Sequence, residues 1–133
     1  MSGPTSEPPR FYVDVGLGGI VIPNLVRRMG CTALTKIEVF GRRRVEDTEW
    51  IEWADAEGVA VLTKDDAIRR RPLERAALGR SNLRVFCLTN ANLTKAEQEA
   101  RFESRWQAIL RRCEQPGPYV CGVYVDRLQD LRV

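Results

Sequence analysis

The sequence predicts an α/β protein, a three-layer α/β/α sandwich with a mainly parallel sheet of four to five strands. Short, β-rich apolar runs alternate with helix-like segments, the pattern of a parallel sheet with crossover helices. One run, Val59 to Thr63, is almost uniformly apolar, as in a strand buried on both faces. Aspartate follows a strand twice, at Phe11-Tyr12-Val13-Asp14 and at Val61-Leu62-Thr63-Lys64-Asp65-Asp66. Carboxylates so placed gather at the end of the sheet where open α/β folds bind ligands.

The elements follow in order. Residues 1–9 are polar and Pro-rich, and are expected to be a disordered lead-in to a domain spanning 10–126, followed by a polar tail at 127–133. Phe11 to Val15 reads as the first strand, and Gly16-Leu17-Gly18-Gly19 permits a tight turn. A helix from Ile20 to Met29 tolerates Pro23 in its first turn and stops at Gly30. Lys36-Ile37-Glu38-Val39-Phe40 alternates like a strand, and Gly41-Arg42-Arg43-Arg44 is a basic loop.

Asp47 or Thr48 caps a helix, Glu49 to Glu57, with Trp50, Trp53 and Ala54 on one face and Gly58 at its end. After the Val59 strand, a helix runs from Ala67 towards Leu78, irregular at Pro72. Leu83 to Leu88 is a further strand. Thr94-Lys95-Ala96-Glu97 is a capping box opening a helix to Cys113, with Phe102, Trp106, Ile109 and Leu110 on its buried side. Gln115-Pro116-Gly117-Pro118 breaks it, and Tyr119 to Val125 is a last strand at the sheet edge.

Composition narrows the chemistry. A chain of 133 residues, 44% hydrophobic, suits one soluble domain. No apolar run approaches the ~18 residues of a membrane span, and the start lacks the basic and apolar regions of a signal peptide. A cytoplasmic protein is expected. The absence of histidine excludes Ser-His-Asp triads and His-ligated zinc. Four cysteines without C-x-x-C spacing read as buried free thiols.

Asp14, Glu49, Asp65 and Asp66 are the candidate acids. Asp14 and Asp65 hold matching positions after strands, and Glu49 opens a helix able to lean over the same end. Like charges ~4 Å apart repel by about 4 kcal/mol at an intermediate dielectric. Several together imply a cation, and oxygen donors suit Mg²⁺ or Mn²⁺. Such an ion beside a phosphodiester makes hydrolysis the first chemistry to test. Simpler roles compete: Asp65 or Asp66 capping the next helix, Glu49 as a solvated first-turn acid, and Asp14 accepting from loop amides.

At these residues the chain resembles a PIN-domain ribonuclease, in the PIN-like branch of VapC-type toxins from bacterial toxin–antitoxin pairs. The likeness rests on Phe-Tyr-Val-Asp14 with its Gly-rich turn, Asp47-Thr-Glu49-Trp50-Ile51, Val-Leu-Thr-Lys-Asp65-Asp66-Ala-Ile-Arg-Arg-Arg, and Leu-Thr-Asn90-Ala-Asn92-Leu-Thr. It implies a metal-dependent endoribonuclease with a Mg²⁺ or Mn²⁺ site, an RNA substrate, a cognate antitoxin protein and often a homodimer. Asp14 is then the first acid, Glu49 the second, with Asp47 competing, and Asp65 the third. The fourth ligand is Asp66 or a polar residue of the Asn90-Ala91-Asn92 loop. An antitoxin could insert an arginine among these carboxylates.

Arg42, Arg43 and Arg44, with Lys64, Arg69, Arg70 and Arg71, form a candidate cationic rim for RNA phosphates. Local ion pairs with Glu46 or Glu74 are the competing reading. Trp50, Trp53, Phe102 and Trp106 are expected in the core or facing a partner. Two alternatives to the nuclease remain: a catalytically inactive PIN-like module that binds RNA or protein, and a phosphoacceptor domain, which would want a second acid beside Asp14.

Overall fold

A computed structural model describes residues 7–89 and 92–133 of the chain. Its strands are β1 (Arg10–Val13), β2 (Thr32–Thr35), β3 (Ala60–Thr63), β4 (Arg84–Leu88), β5 (Tyr119–Val123) and β6 (Leu128–Leu131). They form one sheet in the order β2-β1-β3-β4-β5-β6, parallel throughout except for antiparallel β6. The helices are α1 (Val21–Arg28), α2 (Lys36–Phe40), α3 (Asp47–Glu57), α4 (Pro72–Gly79) and α5 (Lys95–Cys113). A 3-10 turn, Asp66–Arg69, precedes α4, which accounts for the irregularity expected at Pro72.

Side-chain alternation along the sheet divides the core into two layers. Phe11, Val13, Leu62 and Phe86 face α1 and α5, packing with Leu25, Phe102, Trp106 and Ile109. Tyr12, Val61, Val85 and Cys87 face the other way, onto Trp50, Ile51 and Ala54 of α3 and Ala77 and Leu78 of α4. Helices therefore cover both faces, giving the α/β/α sandwich. In α5, Phe102, Trp106, Ile109 and Cys113 are buried at helical spacing, and the Thr94–Glu97 capping box closes in both directions. Cys31, Cys87, Cys113 and Cys121 are all free and buried.

Three expectations are corrected. Lys36–Phe40 is a helix rather than a strand, because Thr35 and Glu38 form a second capping box that starts α2. The strand lies just before it, at Thr32–Thr35, paired with β1. The segment 127–133 is not a tail: Leu128–Leu131 pairs with β5, so Tyr119–Val123 is interior and β6 takes the edge. The lead-in expected at 1–9 lies mostly outside the described residues.

Trp106 is fully buried, with its ring centroid 5.0 Å from that of Phe11. Trp106→Ala is expected to cost roughly 3–5 kcal/mol of stability, because the cavity opens where α5 meets the sheet. Denaturant unfolding of both proteins measures it.

Candidate active site

The parallel register of β1 and β3 sets Val13 beside Leu62, so Asp14 leaves β1 at the level of Thr63. The backbone N–H of Asp14 continues this ladder by donating to the Leu62 carbonyl at 2.9 Å. Thr63, the last residue of β3, then joins the two acid-bearing segments. Its hydroxyl donates to Asp14 Oδ2 at 2.7 Å and accepts from the Asp65 backbone N–H at 3.0 Å. Thr63 is fully buried and Asp14 only 8% exposed.

The third carboxylate is Asp47, in the first turn of α3. Trp50 Nε1 donates to Asp47 Oδ1 at 2.8 Å. Trp50 itself stacks on Tyr12 of β1, with centroids 5.7 Å apart. The aromatic packing that seats α3 thus aims Asp47 at the end of β1. One nitrogen links two of the acids: Arg71 Nη2 donates to Asp47 Oδ2 at 2.8 Å and to Asp65 Oδ2 at 2.7 Å. Arg71 Nε is bonded to Glu74.

The electrostatics of the site reflect the same crowding. Burial raises the Asp14 carboxyl above its ordinary value; the Thr63 hydroxyl opposes this, and the nearby charges of Asp47 and Asp65 reinforce it. Burial raises the Tyr12 phenol too, with Asp14 and Asp47 adding to the effect. Cys87, level with Thr63 on β4, is pushed up to about 12 by burial, assisted by Asp66, Asp65 and Asp14. Arg71 is raised by its bonds to Asp65 and Glu74, so its charge is secure.

Two expected acids stand elsewhere. Glu49 pairs with Arg43 in solvent, which holds its carboxyl below the usual range. It lies about 200° around the helix from Asp47, whereas Asp47 shares the face of Trp50 three residues on. Of the two acids weighed at the start of α3, Asp47 is therefore the one that shares Arg71 with Asp65. Asp66 binds Arg69 at 2.7 Å and Arg70 at 2.8 Å rather than joining the other carboxylates. Asp65 bonds Arg71 through Oδ2 and, as the capping alternative expected, caps the 3-10 turn by accepting from the Ala67 N–H at 3.1 Å.

The basic residues divide similarly. Arg43 and Arg44 pair with Glu49 and Glu46, and Arg69 and Arg70 share Asp66, while Arg69 also reaches the Arg132 carbonyl. Arg42 and Lys64 form no ion pair among the described residues. The Lys64 stem passes close to Gly16. Lys95 Nζ donates to the Leu17 carbonyl at 2.7 Å, bringing a cation to the Gly-rich turn that the sequence had not marked. Asn90 lies outside the described residues, and Asn92 is exposed.

The model of the family described as PIN like domain matches residues 9–90, which contain all of these acids. The chain belongs to the PIN-like domain family. Over 121 residues, 89% of this chain and 88% of the relative, it is 30% identical to the curated "Putative ribonuclease VapC45" of Mycobacterium tuberculosis (strain ATCC 25618 / H37Rv). No solved structure matches the chain at a significant level.

The donor set of this PIN-like chain has the chemistry of a hard-cation site: carboxylate oxygens, one of them buried. The Arg71 nitrogen is a stand-in, a positive group already seated between Asp47 and Asp65. Among the described residues, no three His, Cys, Asp or Glu side chains are closely enough grouped to hold an ion as they stand. The donors fit in kind, and closing them on an ion would require Arg71 to yield.

Because the folded pKa of Asp14 is raised, folding favours its protonated form. That contribution is complete at pH below the unfolded carboxyl value and is lost as pH rises through the folded one. Asp14→Asn is therefore expected to stabilise the metal-free protein at neutral pH and to match wild type in acid. Melting curves across that interval check the sign; a variant less stable at neutral pH would make the carboxylate a structural group.

Proposed function

We propose that this protein is a Mg²⁺- or Mn²⁺-dependent endoribonuclease, the toxin of a bacterial toxin–antitoxin pair. One observation carries the reading: Arg71 joins Asp47 of α3 to Asp65 after β3, and Thr63 joins the Asp65 backbone to the buried Asp14 at the end of β1. The VapC-named relative supports the substrate class and the antitoxin partner.

In this reading Asp14, Asp47 and Asp65 hold the ion, and Thr63 orients Asp14 while fixing the chain entering Asp65. When bound, the ion would polarise the scissile phosphoryl oxygen and acidify an attacking water. Lys64 and Lys95 supply cations near the acidic end, where an approaching RNA strand would otherwise be repelled. Their contacts would set position rather than sequence choice.

An antitoxin partner also finds support in the surface beside Asp14. A groove of about 360 Å³ is lined by residues that include Val13, Val15, Gly18, Thr35 and Ile37. Val15 and Ile37 are exposed there. No helix among the described residues is long and apolar enough to cross a membrane.

A second reading, a silent PIN-like module that binds RNA or protein, is favoured by the Arg71 bridge across Asp47 and Asp65. Cleavage of structured RNA in added Mn²⁺ separates the two. Asp14→Asn, Asp47→Asn and Asp65→Asn are each expected to reduce the rate at least ~100-fold, and Glu49→Gln by no more than about twofold. Tight RNA binding by wild type without metal-dependent cleavage would establish the silent module. Loss of activity in Glu49→Gln, with Asp47→Asn active, would reverse the assignment of the second acid.

A further inference from the structure

We propose that Arg71 is an internal counterion that competes with the divalent ion for Asp47 and Asp65, so that loading the site displaces its Nη2 group. The proposal rests on the metal-site reading above and adds a residue that sets the affinity of that site.

The geometry is specific. A single guanidinium nitrogen lies 2.8 Å from Asp47 Oδ2 and 2.7 Å from Asp65 Oδ2. Mg²⁺ would need to approach the same oxygens to about 2.0–2.1 Å. The two cations cannot share that space, and both are attracted by the same negative charge.

The chain holds Arg71 in place from two directions. Arg71 precedes Pro72, the first residue of α4, and its backbone is extended, at φ −68° and ψ 132°. The residue before a proline is biased towards that conformation, which fixes where the side chain departs. At the other end, Nε is tied to Glu74, whose side chain is 14% exposed. Nη2 can therefore leave the two aspartates while the guanidinium remains anchored through Nε.

Both aspartates keep other partners when Arg71 moves. Asp47 retains the Trp50 indole, and Asp65 retains the Ala67 N–H. Without Arg71 they would remain in place with no positive group bonded to either. This separates a counterion from a simple brace, because its removal has opposite effects on the two states. The metal-free protein loses an attraction and should melt at lower temperature. The ion meets less competition and should bind more tightly.

The test is Mn²⁺ titration of the full chain by calorimetry, alongside melting with and without Mn²⁺. Arg71→Gln is expected to bind Mn²⁺ at least tenfold more tightly than wild type, with a lower metal-free Tm and a larger Mn²⁺-induced rise. Arg71→Lys keeps the charge but cannot bond the aspartates and Glu74 through one planar fork, and should fall between the two. It also provides the comparison if Arg71→Gln folds poorly. Unchanged or weaker Mn²⁺ binding in both variants would overturn the proposal and leave Arg71 a brace. If wild-type binding is lost in Asp14→Asn while the Arg71 variants bind like wild type, only the counterion role fails. If no variant nor wild type binds Mn²⁺, or binding ignores Asp14→Asn, the metal-site reading falls with it.

Discussion

Parallel pairing of β1 with β3 brings Asp14 level with Thr63, though 49 residues separate them. A parallel pair requires a long crossover, and here the intervening chain supplies β2, α2 and α3 on the way. The fold thereby delivers Asp47 to the same sheet end as the two strands it connects. Thr63 converts adjacency into a fixed relation, since one buried hydroxyl bonds the side chain of Asp14 and the backbone of Asp65. The site is a property of strand register more than of any loop.

What surrounds the acids governs how strongly they interact. Tyr12, Trp50, Trp53 and Phe40 pack ring against ring on one face of β1, with centroids 5.4–6.2 Å apart. This apolar floor keeps water from one side of Asp14 and lowers the local dielectric, so both repulsion between carboxylates and attraction to any cation are magnified. Asp47 and Asp65 are about one-third exposed and face solvent beyond that floor.

The layers and four of the strands were legible because alternation, apolar runs and the Thr94–Glu97 box act locally. α2 was read as a strand although its own signal was present: Thr35-Lys36-Ile37-Glu38 repeats the pattern of Thr94-Lys95-Ala96-Glu97, but alternation over the same residues masked it and displaced β2. β6 was missed because Leu128-Gln129-Asp130-Leu131 is polar enough to read as solvated, and only pairing with β5 makes it a strand. Asp14 and Asp65 were marked by their position after strands. Choosing Asp47 over Glu49 required the helix phase relative to Trp50, which the sequence contains. Arg71 could not be singled out from the Arg69-Arg70-Arg71 run, because its direction depends on the turn before Pro72. Thr63 was passed over as a strand residue, and only the meeting of β1 and β3 gives its hydroxyl two partners.

The strand at each margin bears on how these molecules behave beside one another at high concentration. β2 has four residues before Thr35 starts α2, and β6 has four and carries Asp130, which Arg112 binds at 3.0 Å. Unpaired strand margins invite other chains to add on and grow fibrous assemblies, a tendency blunted by brevity and charge. Without β6, the apolar β5, buried along its whole length, would be the border instead. β6 thus acts as a cover against self-templated polymerisation, and removing it would be felt in solubility before it was felt in chemistry.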